Sequence, residues 1–403
     1  MILIFEPSWT GTTHAPGNSA TVQIAARAFP GQQVRLHAEE SHLAEMRRDA
    51  ALMALPNLSL VPAAISQRFQ GRPHIVSARR AWHEFTLMRD ALRQAPPDEP
   101  CLVFLLSTTA TASFAAAWAA RLSGRRRIGV QVGFHGNLND AVAGWRPRNP
   151  LARLFDTRAA LEARHAVPLR FLVLEEAIRS AMGRLMPGIE ARMDVVPLPV
   201  NTAEVPAAAA TPPPAPPLRI GFVGLGTPDK GMDVFLDIAR RIRARHGPEA
   251  VEFVHVGRIA PNADPADFAL LAHPPATAQL PRADFVARLA SLHHVFLPFR
   301  RGYYDLSASG ALLDALTWLK PVITTRVPLT EQFFAEYGEI GVLSDDEAGL
   351  EAAVEAAVTR PDPAGHARHV EALRAARETR RVEALAERYA SVVRRGFPGL
   401  FDA

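Results

Sequence analysis

Residues 206–217 read Pro-Ala-Ala-Ala-Ala-Thr-Pro-Pro-Pro-Ala-Pro-Pro, a run that neither a helix nor a central strand can hold. Proline lacks the backbone N–H and fixes φ, so the run reads as a semi-rigid, extended linker. It divides the 403 residues into two halves, each long enough to bury a core of its own.

Both halves show the same alternation of short apolar runs and helical patterns. The first half has strand patterns at Ile2–Phe5, Gln33–His37, Leu58–Val61, Leu102–Leu106, Ile128–Val132, Phe171–Leu174 and Asp194–Pro197. Its helical patterns fall near 18–29, 41–54, 78–95, 111–122, 151–164 and 175–186. In the second half the strand patterns are Arg219–Val223, Val251–Val256, His294–Leu297, Val322–Thr324 and Gly341–Leu343. Helical patterns there fall near 231–245, 265–272, 282–291, 309–319, 329–336 and 346–358. Strands that are apolar throughout and alternate with helices predict parallel sheets covered on both faces. The expected architecture is α/β, with two doubly wound parallel-sheet domains facing across a cleft. The N-terminal domain spans 1–202, the linker 203–217 and the C-terminal domain 218–363. A helical tail, 364–403, is expected to pack back on the N-terminal domain.

The composition excludes several classes. Cys101 is the single cysteine and opens an apolar run, so a disulfide framework is ruled out and a buried thiol expected. No apolar stretch approaches the about 20 residues of a membrane-spanning helix, and Met1–Glu6 lacks the pattern of a signal peptide. A cytoplasmic protein is expected. The net charge of +4 conceals +7 over residues 1–200 and −3 over the remainder. The basic half suits an anionic acceptor or peripheral contact with an anionic membrane at its inner face. No aromatic-interleaved basic patch points to nucleic acid.

Ligands of such sheets bind beyond the carboxyl ends of the strands, so the loops that follow strands matter most. After the first strand, Trp9–Ser19 contains Gly11 and small hydroxyl residues ahead of a helix, and its N–H groups could meet substrate. After Ile128–Val132, His135 stands between glycines, either as a functional imidazole or as a side chain that fixes its loop. Gly224–Gly231 is neither a dinucleotide fingerprint nor a P-loop. Gly224 and Gly226 permit close backbone approach, and Lys230 sits at a helix start, where a cation opposes the dipole unless an anion joins it. Lys230 and Lys320 are the two lysines of the chain. After His294–Leu297, the loop Pro298–Ser309 carries Arg300, Arg301, Asp305, Ser307 and Ser309, and Gly310 opens a helix containing Asp314. Ser309 is a candidate N-cap, and the first helical turn a candidate anion site. The alternatives are plain capping for the serines and solvation for Asp314.

Several segments carry a resemblance. They are Phe222-Val223-Gly224 with Asp229-Lys230-Gly231-Met232-Asp233, Val254-His255-Val256-Gly257, Val295-Phe296-Leu297-Pro298, and Ala311–Ile323 with its Lys320-Pro321-Val322-Ile323. Together they resemble the GT-B-fold glycosyltransferases, most of all glycosyltransferase family 4. His135, Phe171–Glu176 and Val195–Asn201 extend the likeness more loosely. The resemblance implies two Rossmann-like domains, a nucleoside-diphosphate sugar as donor substrate, no cofactor and no metal. It implies retention of anomeric configuration and a glycan or lipid-linked acceptor of cell-surface polysaccharide or glycolipid synthesis. By that likeness Lys230 stabilises the leaving diphosphate, Ser307, Ser309 and Gly310 cradle phosphate, and Asp314 holds the ribose. His135 and Asp305 then face the donor sugar, with Gly11 and Gly226 lining the substrate. The family's Arg after the first glycine is Leu225 here, so Arg258, Arg300 or Arg301 is expected to supply that charge. The second of the family's paired glutamates aligns with Asp314, the first falls on Leu306 beside Asp305, and Leu319 replaces a glycine. A non-catalytic nucleotide- or glycan-binding protein of this fold and a sugar-nucleotide epimerase are the alternatives to the transferase.

Overall fold

The computed structural model describes residues 1–72, 74–135, 138–139, 150, 152–200, 202, 205 and 213–401. Residues 203, 204 and 206–212 of the linker, and Gly136 and Asn137 beside His135, lie outside the described residues.

The chain forms two compact units, one of Met1–Pro199, Leu306–Ala308 and Arg380–Ala403, the other of Val200–Asp305 and Ser309–Thr379. The first contains β1 (Ile2–Phe5), α1 (Ala15–Ala28), β2 (Val34–Ala38), α2 (Glu40–Met46), α3 (Ala50–Met53) and β3 (Leu58–Pro62). These are followed by α4 (Ala78–Gln94), β4 (Cys101–Leu105), α5 (Ala112–Leu122), β5 (Ile128–Gly133), α6 (Thr157–Glu162), β6 (Leu169–Val173), α7 (Glu176–Leu185) and β7 (Met193–Val195). The seven strands make one parallel sheet in the order β3-β2-β1-β4-β5-β6-β7. Ile2 pairs with Val34 on one side and Leu102 on the other. Alternate residues then feed opposite faces. Leu3, Phe5, Val103 and Leu105 join one core, and Ile2, Ile4, Leu102 and Phe104 the other. Cys101 is fully buried in the first of these, and burial raises its thiol pKa to about 11.

The second unit runs β8 (Leu218–Val223), α8 (Met232–His246), β9 (Val251–Val256), α9 (Arg282–Ser291), β10 (His294–Leu297), α10 (Gly310–Thr317) and β11 (Val322–Thr325). It continues with α11 (Pro328–Tyr337), β12 (Gly341–Ser344), α12 (Glu347–Thr359) and α13 (Pro363–Thr379). Its five strands are parallel, in the order β12-β11-β10-β8-β9.

Both sheets follow the apolar runs. The helical patterns needed more revision. Segment 41–54 is two helices, because Asp49 leaves the helix to cap α3, its carboxylate accepting from Ala51 and Leu52 N–H. Within 151–164 the described residues form a 3₁₀ turn at Ala152–Phe155 and then α6, capped by Asp156 through Ala159 N–H. Segment 265–272 is only a 3₁₀ turn at Pro265–Phe268, after which Ala272 N–H donates to Phe253 C=O and draws the chain back to β9.

The tail is a helix pair. In α13, Leu373 and Ala376 join the second unit's core. The other helix, α14 (Val382–Gly396), lies in the first unit, where Leu385, Tyr389 and Val393 are buried with α1 residues. Arg380 starts this segment with a fully buried, two-pronged ion pair to Glu175, at 2.8 and 2.9 Å. Lys320 is also buried, and its ammonium donates to Ala290 and Leu292 C=O at the end of α9, at 2.6 and 2.7 Å. A cation is favourable at those carbonyls. Leu319, where the resembled family has glycine, adopts the left-handed region with φ 55°. Among the described residues, no helix is long and apolar enough to cross a membrane.

Candidate functional site

In the second sheet β9 lies on one side of β8 and β10 on the other, so the strand order reverses between β8 and β10. Loops leaving such a pair diverge and open a crevice at their carboxyl ends. The loop after β8 is Gly224–Gly231. It is pinned to the end of β9, with Gly224 N–H donating to Val256 C=O and Gly226 N–H to Arg258 C=O, both at 2.9 Å. A Cβ on Gly257 would sit 2.0 Å from Gly224 O, so only glycine permits this approach. Gly231 (φ 83°) turns the chain into α8, and its Cβ would lie 2.2 Å from Pro298 O in the loop after β10. Sequence spacing and glycine placement thus bring the two loops together at the reversal point.

Lys230 is delivered there. Its ammonium lies 5.9 Å from the Tyr303 ring centroid, within cation–π range. The side chain is half-buried, burial lowers its pKa, and it has no carboxylate or hydrogen-bond partner among the described residues. The loop after β10 is otherwise internally tied. Arg300 pairs with Asp233 at the start of α8, 2.5 Å apart. Asp305 accepts the Gly302 N–H at 3.1 Å, so one of its oxygens holds the turn. Tyr304 stacks on Phe299 at 3.8 Å, and the Ser309 hydroxyl oxygen caps α10 by accepting from Leu312 N–H at 3.2 Å. Gly310 is exposed at the helix start, and Asp314 lies half-buried one turn further on. Arg258 and Arg301 are exposed and have no carboxylate partner among the described residues. Of the sequence-selected residues, this unit therefore holds Gly226, Lys230, Arg258, Arg301, Asp305, Ser309, Gly310 and Asp314. Ser307 is assigned to the first unit, where its hydroxyl oxygen accepts from Asn139 Nδ2 at 3.0 Å.

The first sheet reverses between β1 and β4. Sequence reasoning missed the residue at this point. Glu6 follows β1 directly and is buried. Its carboxylate accepts from Ser8 and Trp9 N–H (3.0 and 3.1 Å), from Asn18 Nδ2 (3.0 Å), and from Ser107 Oγ just after β4 (2.6 and 2.8 Å). Burial raises its pKa to about 7 in spite of these donors. Asn18 also meets His42, whose other ring nitrogen bonds Gly11 C=O at 2.9 Å, while Gly11 N–H donates to Ser41 Oγ. The Gly11 loop is therefore held from both sides. It presents His14 in the left-handed region (φ 59°), tilted against Trp9 at 4.7 Å and edge-on to His135 at 6.1 Å. Burial, then His14, lowers the His135 pKa to about 3, so this imidazole is neutral at working pH. His14 was also overlooked, because nothing in a small-residue loop signals its orientation.

Residues 217–360 match the family model described as Glycosyl transferases group 1. No curated protein sequence matches the chain. Among solved structures, an α,α-trehalose-phosphate synthase (UDP-forming) from Burkholderia vietnamiensis is 12% identical, with TM-score 0.62 over 98% of this chain and 99% of that one. The lipopolysaccharide outer core galactosyltransferase WaaB is 13% identical, with TM-score 0.61 over 97% and 98% of the two chains. WaaG, a glycosyltransferase involved in lipopolysaccharide biosynthesis, is 13% identical, with TM-score 0.60 over 99% and 100%. The chain has the GT-B fold, and the family match and fold together support a glycosyltransferase.

Proposed function

We propose that the protein is a retaining, metal-independent glycosyltransferase that moves a sugar from a nucleoside-diphosphate sugar to a glycan or lipid-linked acceptor. The observation that carries this reading is Lys230, a half-buried ammonium with no anionic partner among the described residues, at the reversal point of the family-matching unit. A diphosphate is the missing counter-charge. When the bond between anomeric carbon and diphosphate oxygen breaks, negative charge grows on the leaving phosphate, where Lys230 stabilises it. Arg258 and Arg301 add charge in place of the arginine absent at Leu225, the α10 N-terminus adds N–H donors, and Asp314 accepts from ribose hydroxyls. His135 of the first unit is neutral, so it can hydrogen-bond a sugar hydroxyl without adding positive charge. The UDP-forming neighbour makes uridine diphosphate the first nucleotide to test. The first unit takes the acceptor in this reading, and its basic charge favours peripheral contact with an anionic membrane.

Calorimetry with uridine and guanosine diphosphates, alongside donor turnover, tests the assignment. Lys230→Ala should weaken nucleotide binding at least tenfold and slow transfer on the order of 10²-fold. Unchanged affinity and turnover in that variant would remove the leaving-group role. A non-catalytic binding protein is the second reading, favoured by Leu225 and by the use of Asp305 in its own turn. Nucleotide binding with no turnover of any donor would select it.

A further inference from the structure

The first unit also carries an apolar groove. Helix α4 contributes Ala81, Trp82 and Phe85, α5 contributes Trp118 and Leu122, and the turn at Ala152–Phe155 contributes Phe155. The α4 residues follow the i, i+3, i+4 stripe that a helix ordinarily buries. Here the stripe meets solvent, with Trp82 64%, Trp118 41% and Leu122 71% exposed. The space enclosed is about 660 Å³, the size of a small-molecule site. Ring contacts of 5.6 Å between Trp82 and Phe85 and 5.9 Å between Trp118 and Phe155 brace its aromatic walls.

The hydroxyls at this groove are already engaged. The Thr111 hydroxyl donates to buried Glu84 at 2.6 Å, and the Ser77 hydroxyl oxygen accepts from Arg80 N–H. A peptide or sugar lying here would leave its own polar groups without partners, whereas a hydrocarbon would not. The rim has the opposite character. Arg79, next to lining residue Ala78, and Arg121, next to Leu122, are exposed and have no carboxylate partner among the described residues. The nearby carboxylates are turned inward, Glu84 to Arg80 and Thr109 and Asp156 to the cap of α6.

We propose that this groove binds the hydrocarbon chain of an anionic, single-chain amphiphile, with its headgroup against Arg79 and Arg121. The proposal rests on the glycosyltransferase reading only in assigning that chain to the tail of a lipid-linked acceptor. The test uses the full chain and myristoyl-lysophosphatidylglycerol below its micelle concentration, followed by tryptophan fluorescence, with uridine diphosphate binding measured in parallel. Saturable binding is expected, at least tenfold tighter than for the zwitterionic lysophosphatidylcholine of equal chain length. Leu122→Glu, at an exposed position that does not threaten folding, should weaken it at least tenfold, and Arg79→Glu with Arg121→Glu should erase the headgroup preference. Nucleotide affinity should be unchanged in these variants. Absence of saturation, equal affinity for both lipids, or indifference to Leu122→Glu overturns the proposal. So does binding to phosphatidylglycerol vesicles without binding of the monomer, which marks a membrane-docking face. A lipid-free dimer that Leu122→Glu dissociates in sedimentation overturns it in favour of a second copy. Loss of nucleotide binding alone counts against the transferase reading and leaves the groove assignment standing.

Discussion

Replacing Glu6 by Gln tests how the first unit's reversal point is built. The carboxylate is buried and titrates at about 7, against an unfolded value near 4.5. Between those values the folded state keeps a proton that the unfolded state has released. Folded-state stability therefore falls as pH rises through this window, by about 1.4 kcal/mol per unit. Over the whole window the loss is about 3 kcal/mol. Glutamine cannot ionise and escapes that loss, but its amide nitrogen must donate where Glu6 accepts from Asn18. Asn18 has an answer available, because its buried Oδ1 has no hydrogen-bond partner among the described residues. Turning the Asn18 amide offers that oxygen to the introduced glutamine's nitrogen, at the expense of the present contact with His42. The variant should thus be less stable than the wild type near pH 5 and gain on it steadily toward pH 8, the difference shifting by about 3 kcal/mol. Urea denaturation at several pH values, followed by tryptophan fluorescence, measures the difference directly. Parallel stability curves for the two proteins would show that Glu6 is ionised throughout and refute the reasoning.

Arg380→Met should cost about 3–5 kcal/mol by removing the two-pronged partner of the buried Glu175 carboxylate, and Glu175→Leu in the same chain should recover most of it in urea midpoints. Leu319→Gly releases about 1–2 kcal/mol of left-handed strain but forfeits about 2–5 kcal/mol of core burial, so its melting temperature should fall, and a rise would show that strain dominates. His37 is buried, stacked on Phe5, with a pKa lowered to about 4 by burial. Its neutral form is favoured on folding, so stability present above pH 6.5 is lost as pH falls toward 4. His37→Phe should therefore flatten the acid limb of a melting-temperature profile, and an unchanged limb would clear His37 of that role.

The fold was legible because the inner strands, such as β1, β4 and β5, are buried on both faces, which leaves an apolar run that no surface element imitates. The placement of Lys230 beyond the carboxyl end of a strand was legible for a related reason, since an apolar run followed by glycines marks where a strand gives way to a turn. Glu6 was not. A carboxylate after an apolar run looks like the first solvated residue of a loop, and the Ser107 that draws it inward is 101 positions away. The division of the tail was equally hidden, because the Arg380–Glu175 pair joins positions 205 apart. Leu319 was visible as a departure from the resembled pattern, and its backbone lies in the left-handed region that favours glycine. Breaks in helices, as at Asp49, depended on a side chain preferring the backbone N–H groups ahead of it, a local competition that periodicity does not record.

The two reversal points also differ in a way that decides where an anion belongs. In the first unit the position is filled by the chain's own carboxylate, on which four residues converge as donors, and the imidazoles nearby, His14 and His135, are held neutral by burial. An added anion would meet Glu6, with no compensating cation bonded to it among the described residues. In the second unit the equivalent position carries an ammonium that faces only an aromatic ring, with Arg300 already committed to Asp233 and Arg258 and Arg301 left exposed. Desolvating Lys230 without a counter-charge is unfavourable, and a diphosphate bound there as proposed would remove that penalty and gain the N–H groups of α10. The same contrast leaves the first unit's reversal point suited to a neutral, hydroxyl-rich ligand, which neutral imidazoles bind without electrostatic bias.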